Sequence, residues 1–317
     1  MLSRAAESIF WMSRYVERAE NVARFIHVNL QLELDVAEML GEQWDPLVKV
    51  TGDDRDFHER YGRPTRENVI EFLTFDRENP NSILSCVDRA RENARSVREI
   101  ISTEMWEEIN RFYLDVHAPG AREQAAQESH DFFLNIRRAS HLIEGTKNET
   151  MSRGEAWHFS RLGRYLERAD KTTRILDVKY YLLLPSVGDV GKPLDDVQWT
   201  AVLQSASAFQ VYRTQYGQID SLRVAELLLL DRDFPRSVHH CVSYADASLH
   251  SISGAPRRGF HNSAERALGK LAAELDYTDV EEVVEGGLHE FLDGLQGKLN
   301  DAGAAIFDTF VALKPVG

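Results

Sequence analysis

Cysteine is nearly missing from this chain of 317 residues: there are two, Cys86 and Cys241, with no CxxC spacing and no His pair at zinc-ligand spacing. That excludes a disulfide framework and a structural zinc site, and a reducing cytoplasm is the expected setting. Long apolar runs are missing as well. The longest, Tyr180 to Leu184 ahead of Pro185, falls far short of the ~20 residues of a membrane span. Arg4, Glu7 and Arg14 interrupt the first helix before any signal-peptide pattern develops. There is no GxxxxGK[ST], GxGxxG, GxSxG or HExxH, hence no phosphate loop, nucleophile elbow or zincin helix. No cofactor and no metal are expected.

Positive charge is in short supply: 37 Lys and Arg against 51 Asp and Glu give a formal charge of −14. Nucleic acid would be repelled over most of such a surface, so no nucleic-acid partner and no membrane association are expected. An apolar fraction of 43% with 28% charged residues is the balance of a chain that builds a core, not of a disordered one.

What the chain does have is a repeat. Arg14-Tyr15-Val16-Glu17-Arg18-Ala19 recurs as Arg164-Tyr165-Leu166-Glu167-Arg168-Ala169, and at the same offset Arg24 meets Arg174. Five residues further on in offset, Gln43-Trp44 matches Gln198-Trp199, Tyr61-Gly62 matches Tyr216-Gly217, and Asp76-Arg77 matches Asp231-Arg232. Pro80, Ser82 and Cys86-Val87 then match Pro235, Ser237 and Cys241-Val242. The insertion falls among Pro185, Gly188, Gly191 and Pro193, which predicts a longer surface loop. Near the end of each half His130-Asp131-Phe132 is similar to His289-Glu290-Phe291 at a shifted offset. An ordered series of this kind predicts a tandem duplication, with unit one over 1–150 and unit two over 151–317.

Apolar residues recur at three and four throughout, which predicts an all-α protein of two packed multi-helix units. Helices are expected over 3–40, 44–60, 66–75, 80–117 and 122–148, then 152–184, 195–216, 220–231, 236–253, 262–275 and 278–313. Pro80 and Pro235 are expected in the first turn of the helices they begin. On a helical wheel Ile9, Met12, Val16, Ala19, Ala23, Ile26 and Leu30 form one stripe. The opposite side carries Glu7, Arg14, Glu17, Arg18 and Asn21 together with Phe10, Phe25 and Val28, with Arg24 on its margin. The second marked helix divides likewise, with Trp157, Ile175 and Val178 among Arg164, Glu167, Arg168 and Lys171.

Three readings of the charged face stay open. It is a solvated face laced with local ion pairs, a semi-buried ion-pair network, or a site. The large apolar residues among the charges favour a helix packed on two sides. If it is a site, the excess of Arg over Glu suits a carboxylate or phosphate. The candidate residues are Arg14, Glu17, Arg18, Arg24, Arg164, Glu167, Arg168 and Arg174. Asp76, Arg77, Asp231 and Arg232 read as turn-fixing ion pairs, or as a second layer of the site. Cys86 and Cys241 read as small core residues, and His239-His240, about 100° apart on a helix, as no chelate.

Leu2-Ser3-Arg4-Ala5-Ala6-Glu7 followed by Met12-Ser13-Arg14-Tyr15-Val16-Glu17-Arg18-Ala19-Glu20-Asn21-Val22-Ala23-Arg24 resembles the opening of the bacterial alpha-E family. Met151-Ser152-Arg153 with Leu162-Gly163-Arg164-Tyr165-Leu166-Glu167-Arg168-Ala169 resembles that family's second block. The resemblance implies an all-helical domain working beside circularly permuted ATP-grasp ligases, in systems that make or modify a peptide. It implies no catalytic residue. The implied role is a partner of such a ligase or of its peptide or amino-acyl substrate. An enzyme in its own right on such a substrate is the alternative, and a structural scaffold is the second alternative. No pattern in the sequence specifies an oligomeric state.

Overall fold

The computed structural model describes residues 1–40, 44–182 and 193–312, with side chains for 1–33, 44–178 and 195–312. Among the described residues every regular element is a helix. The first half contains α1 (Ser3–Leu40), α2 (Asp45–Thr51), α3 (Asp54–Tyr61), α4 (Arg66–Thr74), α5 (Ile83–Ser96), α6 (Thr103–Val116), α7 (Ala121–Gln127) and α8 (Ser129–Thr150). The second contains α9 (Glu155–Leu182), α10 (Pro193–Ser205), α11 (Phe209–Gln215), α12 (Ser221–Leu230), α13 (Val238–Ser253), α14 (Ser263–Asp276), α15 (Val280–Gly286) and α16 (Leu288–Phe310).

The two helices bearing the marked motif, α1 and α9, lie against each other at the centre. Helices α5 and α8 flank α1 and are bridged by α6; α13 and α16 flank α9 and are bridged by α14. The short elements cross between the halves, α2 onto α9 and α10 onto α1. Because α1 has neighbours all round, both of its faces are buried. Ile9, Met12, Ala19 and Ile26 sit on one side, and Phe10, Phe25 and Val28 on the other. That geometry explains the aromatic and branched residues among the charges, and it rules out the solvated-face reading.

Several expected helices are broken in two. The 44–60 segment divides at Gly52, whose φ of +82° suits glycine. A Cβ there would also stand 3.1 Å from Nη1 of Arg174. The 80–117 segment divides after Ser96, and Ser102 restarts the chain by accepting the amide of Met105 in a side-chain cap. The 122–148 segment divides at Glu128, 195–216 at Ser207, and 278–313 at Gly287.

Pro80 and Pro235 lie ahead of their helices, not in the first turn. The caps are Ser82 and Ser237, whose hydroxyls accept the amides of Ser85 and His240. Pro193, expected in a loop, opens α10, whereas Gly41, Pro185, Gly188 and Gly191 and the ends expected at Leu184 and 313 lie outside the described residues. Cys86 and Cys241 are free buried thiols at equivalent places in α5 and α13. Burial pushes both up to about 12, which keeps them protonated and unreactive.

Candidate functional site

Helices α1 and α9 cross closely because Gly163 lets them. A Cβ on Gly163 would stand 2.3 Å from the carbonyl oxygen of Phe10, a separation no side chain permits. Beside this contact the hydroxyls of Ser13 and Ser160 lie 2.7 Å apart. One turn further on, the two motifs face each other and exchange partners.

Glu167 receives Nε of Arg14 at 2.8 Å, and Nε and Nη2 of Arg18 at 2.6 and 2.9 Å. Glu17 receives Nε of Arg164 at 3.0 Å, and Nε and Nη2 of Arg168 at 2.7 and 2.9 Å. Each glutamate is thus gripped by a bidentate guanidinium fork and a second arginine from the opposite helix, and neither pairs within its own motif. Both carboxylates are buried, with Glu17 2% and Glu167 0% exposed. Burial alone would raise them, but Arg168, Arg236 and Arg164 hold Glu17 well below the usual carboxylate range. Burial likewise opposes, and Arg18 and Arg14 outweigh it, at Glu167.

The remaining nitrogens of the two forks reach the turns before α5 and α13. Nη1 of Arg18 donates to Oδ1 of Asn81 at 2.7 Å, and Nη1 of Arg168 donates to the carbonyl of Pro235 at 3.2 Å. The paired aspartates shape those turns. Asp76 accepts the amide of Glu78 at 2.9 Å, and Asp231 accepts those of Asp233 and Phe234. The expected Asp–Arg ion pairs do not form. Asp76 pairs with Arg60 at 2.7 Å, Arg77 is exposed toward Asp88, and Arg232 pairs with Asp276. Sequential neighbours at the start of a turn point apart, so the aspartate fixes the backbone while its arginine leaves.

Arg236, on the turn that Asp231 shapes, is a member of the layer that the motif did not reveal. It donates to Glu17, Asn21 and Glu20 at 3.3, 3.1 and 2.9 Å. Burial and the neighbouring Arg168 lower it to about 9. Arg24 joins through the same Glu20 and through the hydroxyl of Ser207. Ser207 takes φ +55°, a left-handed position costly for a side chain other than glycine or asparagine. Burial and Arg236 lower Arg24 well below its ordinary value. Arg174, its counterpart by sequence offset, pairs with Asp170 at 3.0 Å against Gly52, at the far edge of the layer.

Two further groups border the layer. Arg164 uses Nη1 on Glu144 of α8 at 2.5 Å, and Glu144 also holds the fully buried Lys147 at 2.7 Å. Burial lowers Lys147 to about 8 despite Glu144. On the other flank Arg137 donates to His27, which lies 2.8 Å from His130. Burial and Arg137 lower His27 to about 4, so it is a neutral acceptor. His239 and His240 turn to Asp276 and to the Arg232 carbonyl, respectively. Among the described residues no group of three metal-ligating side chains forms.

Chemically the layer is a clamp. Glu17 and Glu167 are held as carboxylates far from the pKa a general base needs near neutrality, and pairing with them pushes Arg18 and Arg168 further toward the charged form. Arg24, Arg236, Asn21, Glu20 and Ser207 belong to it as much as the six motif residues do. Of these only Glu20, Asn21 and Arg24 lay in the marked block. Arg236 could have been suspected only from its place between the matched Pro235 and Ser237.

A helical protein built around two glutamates, each held by the arginines of the opposite helix, is the class this geometry defines. The chain belongs to the Alpha-E family, whose model, described as a predicted alpha-helical domain with a conserved ER motif, matches residues 1–311. Uncharacterized proteins of Mycobacterium bovis and Mycobacterium tuberculosis are similar to it, each 26% identical over 336 residues. The alignment covers 98% of this chain but 37% of either relative, so the chain spans little more than a third of their length. No solved structure is significantly similar.

Proposed function

We propose that this chain is a rigid helical partner in an ATP-grasp-type peptide-synthesis or peptide-modification system of the cytoplasm, acting through what it binds. The observation that carries this reading is the reciprocal clamp. A motif whose arginines are already engaged by buried glutamates serves to lock two helices, and the locked body then presents its surfaces to a ligase or to a carboxylate-bearing substrate. The family resemblance supplies the ligase. Its members stand beside circularly permuted ATP-grasp enzymes. We also take the chain to be a tandem duplication with units over 1–150 and 151–317. Supporting this is the exchange itself, in which Arg14, Glu17 and Arg18 do for α9 what Arg164, Glu167 and Arg168 do for α1.

The test is ATP-dependent ligation by a circularly permuted ATP-grasp enzyme from the same organism, measured with and without this chain. Stimulation of ligation, together with co-purification of the two and no turnover by this chain alone, is the expected result. Turnover by the chain alone on an amino-acyl or peptide substrate would replace this reading with that of an independent enzyme. Neither binding nor stimulation would end the partnership.

A further inference from the structure

Besides the exchange of Arg236 for Asn81, the two halves of the clamp differ beside Arg14 and Arg164. Arg164 has its Nε on Glu17 and its Nη1 on Glu144. Arg14 has its Nε on Glu167, while Nη1 and Nη2 make no hydrogen bond among the described residues. Shifted by 159 residues, as His130-Asp131-Phe132 is to His289-Glu290-Phe291, Glu144 falls on Gly303 and Lys147 on Ile306. The structure agrees with that alignment. A Cβ on Gly303 would stand 3.8 Å from Nη1 of Arg14. The first half therefore fills the position with an acid and its lysine, where the second half has a hydrogen and an aliphatic chain.

The consequence is a pocket. Beside Arg164, where Glu144, Lys147 and Ser160 close in, the residual space is about 20 Å³. Beside Arg14 it is about 250 Å³, walled mainly by Phe10, Trp11, Phe159 and Phe307, with Glu7 and Asn300 as the other polar side chains on its lining. The Arg14 guanidinium is 5.0 Å from the Trp11 ring centroid and 5.7 Å from that of Phe10. Packed against those rings and tied at Nε, it retains both terminal nitrogens for a ligand. A fixed guanidinium fork in a mostly apolar cavity suits a carboxylate, which meets it bidentately.

We propose that this pocket is a binding site for a compact organic acid with an apolar or aromatic body, its carboxylate taking the place on Arg14 that Glu144 takes on Arg164. The proposal rests on reading α1 and α9 as holding a carboxylate-bearing substrate, and it narrows that reading to one cavity and one arginine. A carboxylate is favoured because the other half fills the equivalent place with one. The volume is below the ~300–1,000 Å³ of sites for drug-sized ligands, which limits the body to about one ring and a short chain.

The experiment is calorimetric titration of the full chain with 3-phenylpropionate and with its neutral amide, repeated on Gly303→Glu. By analogy with Glu144, that substitution delivers an internal carboxylate to Arg14. Saturable binding of the acid is expected, with the amide weaker by at least ~10-fold, about 1.4 kcal/mol. Gly303→Glu is expected to weaken the acid at least ~10-fold while melting no lower than the wild type. Equal affinities for acid and amide, no saturable binding of the acid, or undiminished binding by a folded Gly303→Glu would each overturn the proposal. Should Gly303→Glu not fold, the acid–amide comparison decides alone. Binding is read on this chain without a ligase, so the partnership and the pocket can fail separately.

Discussion

Glu17→Gln keeps the size of the side chain and one carbonyl oxygen, and removes only the charge that three guanidiniums share. Arg164, Arg168 and Arg236 all approach Glu17 within 3.3 Å, and Arg168 and Arg236 are themselves nearly covered. Removing one partner of a buried pair costs about 3–5 kcal/mol, because the opposite charge stays buried without compensation. Unfolding entropy of about 2.1 cal/mol/K per residue makes the whole chain's roughly 0.7 kcal/mol/K, so the melting temperature should fall by about 4–8 °C. Melting followed by circular dichroism measures this. Arg95→Gln is the matched control, since Arg95 and Glu92 are 2.6 Å apart but 65% and 54% exposed. An exposed pair of that kind is worth at most ~1 kcal/mol, or roughly 1–2 °C here.

The sign with pH follows as well. The folded pKa of Glu17 is depressed, so its contribution is present above the unfolded carboxyl value and is lost as pH falls through the folded one. Wild-type stability should therefore decline below pH 4.5, the ordinary value of a glutamate, and Glu17→Gln should flatten part of that decline. A Glu17→Gln protein melting no lower than Arg95→Gln, with an unchanged acid limb, would refute the buried clamp.

Lys147 titrates at about 8 in the fold against 10.5 when free, so between those values the unfolded chain binds more protons and stability rises with pH. Denaturant melts at pH 8 and 10 should show that rise in the wild type and lose it in Lys147→Met; an identical slope in both would remove Lys147 as its source. Gly163→Ala would ordinarily gain helix propensity, yet its Cβ meets the Phe10 backbone at 2.3 Å. We expect destabilisation by about 1–3 kcal/mol or more as α1 and α9 are pushed apart, against no loss for Gly145→Ala inside α8, whose Cβ meets nothing within 4 Å.

The helical class and most helix ends were legible because periodicity and proline act locally. Helix α1 ends where the pattern placed it, and α4, α12, α13 and α14 differ from expectation by a residue or two. The breaks inside long stretches were not legible. Residues 97–102 contain no glycine or proline, and a single glycine such as Gly52 inside a periodic stretch does not say on its own that the helix stops there. The candidate site was half legible. Wheel geometry showed that α1 buries two faces and that its charges lie among aromatics. Yet Glu17 has Arg14 within i,i+3 reach on its own motif, and no local rule says that it abandons it for Arg164 and Arg168. Arg236 was hidden because its counterpart by offset is Asn81, an uncharged residue that nonetheless contacts the opposite fork. Charge identity was the wrong signal there, and position in the turn was the right one.

The exchange of partners also sets a timetable. The groups that satisfy Glu17 follow it by 147, 151 and 219 residues, and synthesis proceeds at about 5–20 residues per second, so Glu17 waits roughly 7–45 s for them. During that interval α1 has its apolar stripe ready to bury, and on its charged face only local pairs such as Glu20 with Arg24 are available. Until then the polar side of α1 lacks the cover that α9 and the Arg236 turn give it. Arrival of α9 and then of the Arg236 turn dries that side and closes both halves at once. The native polar layer is therefore complete only when the second half of the chain has been made.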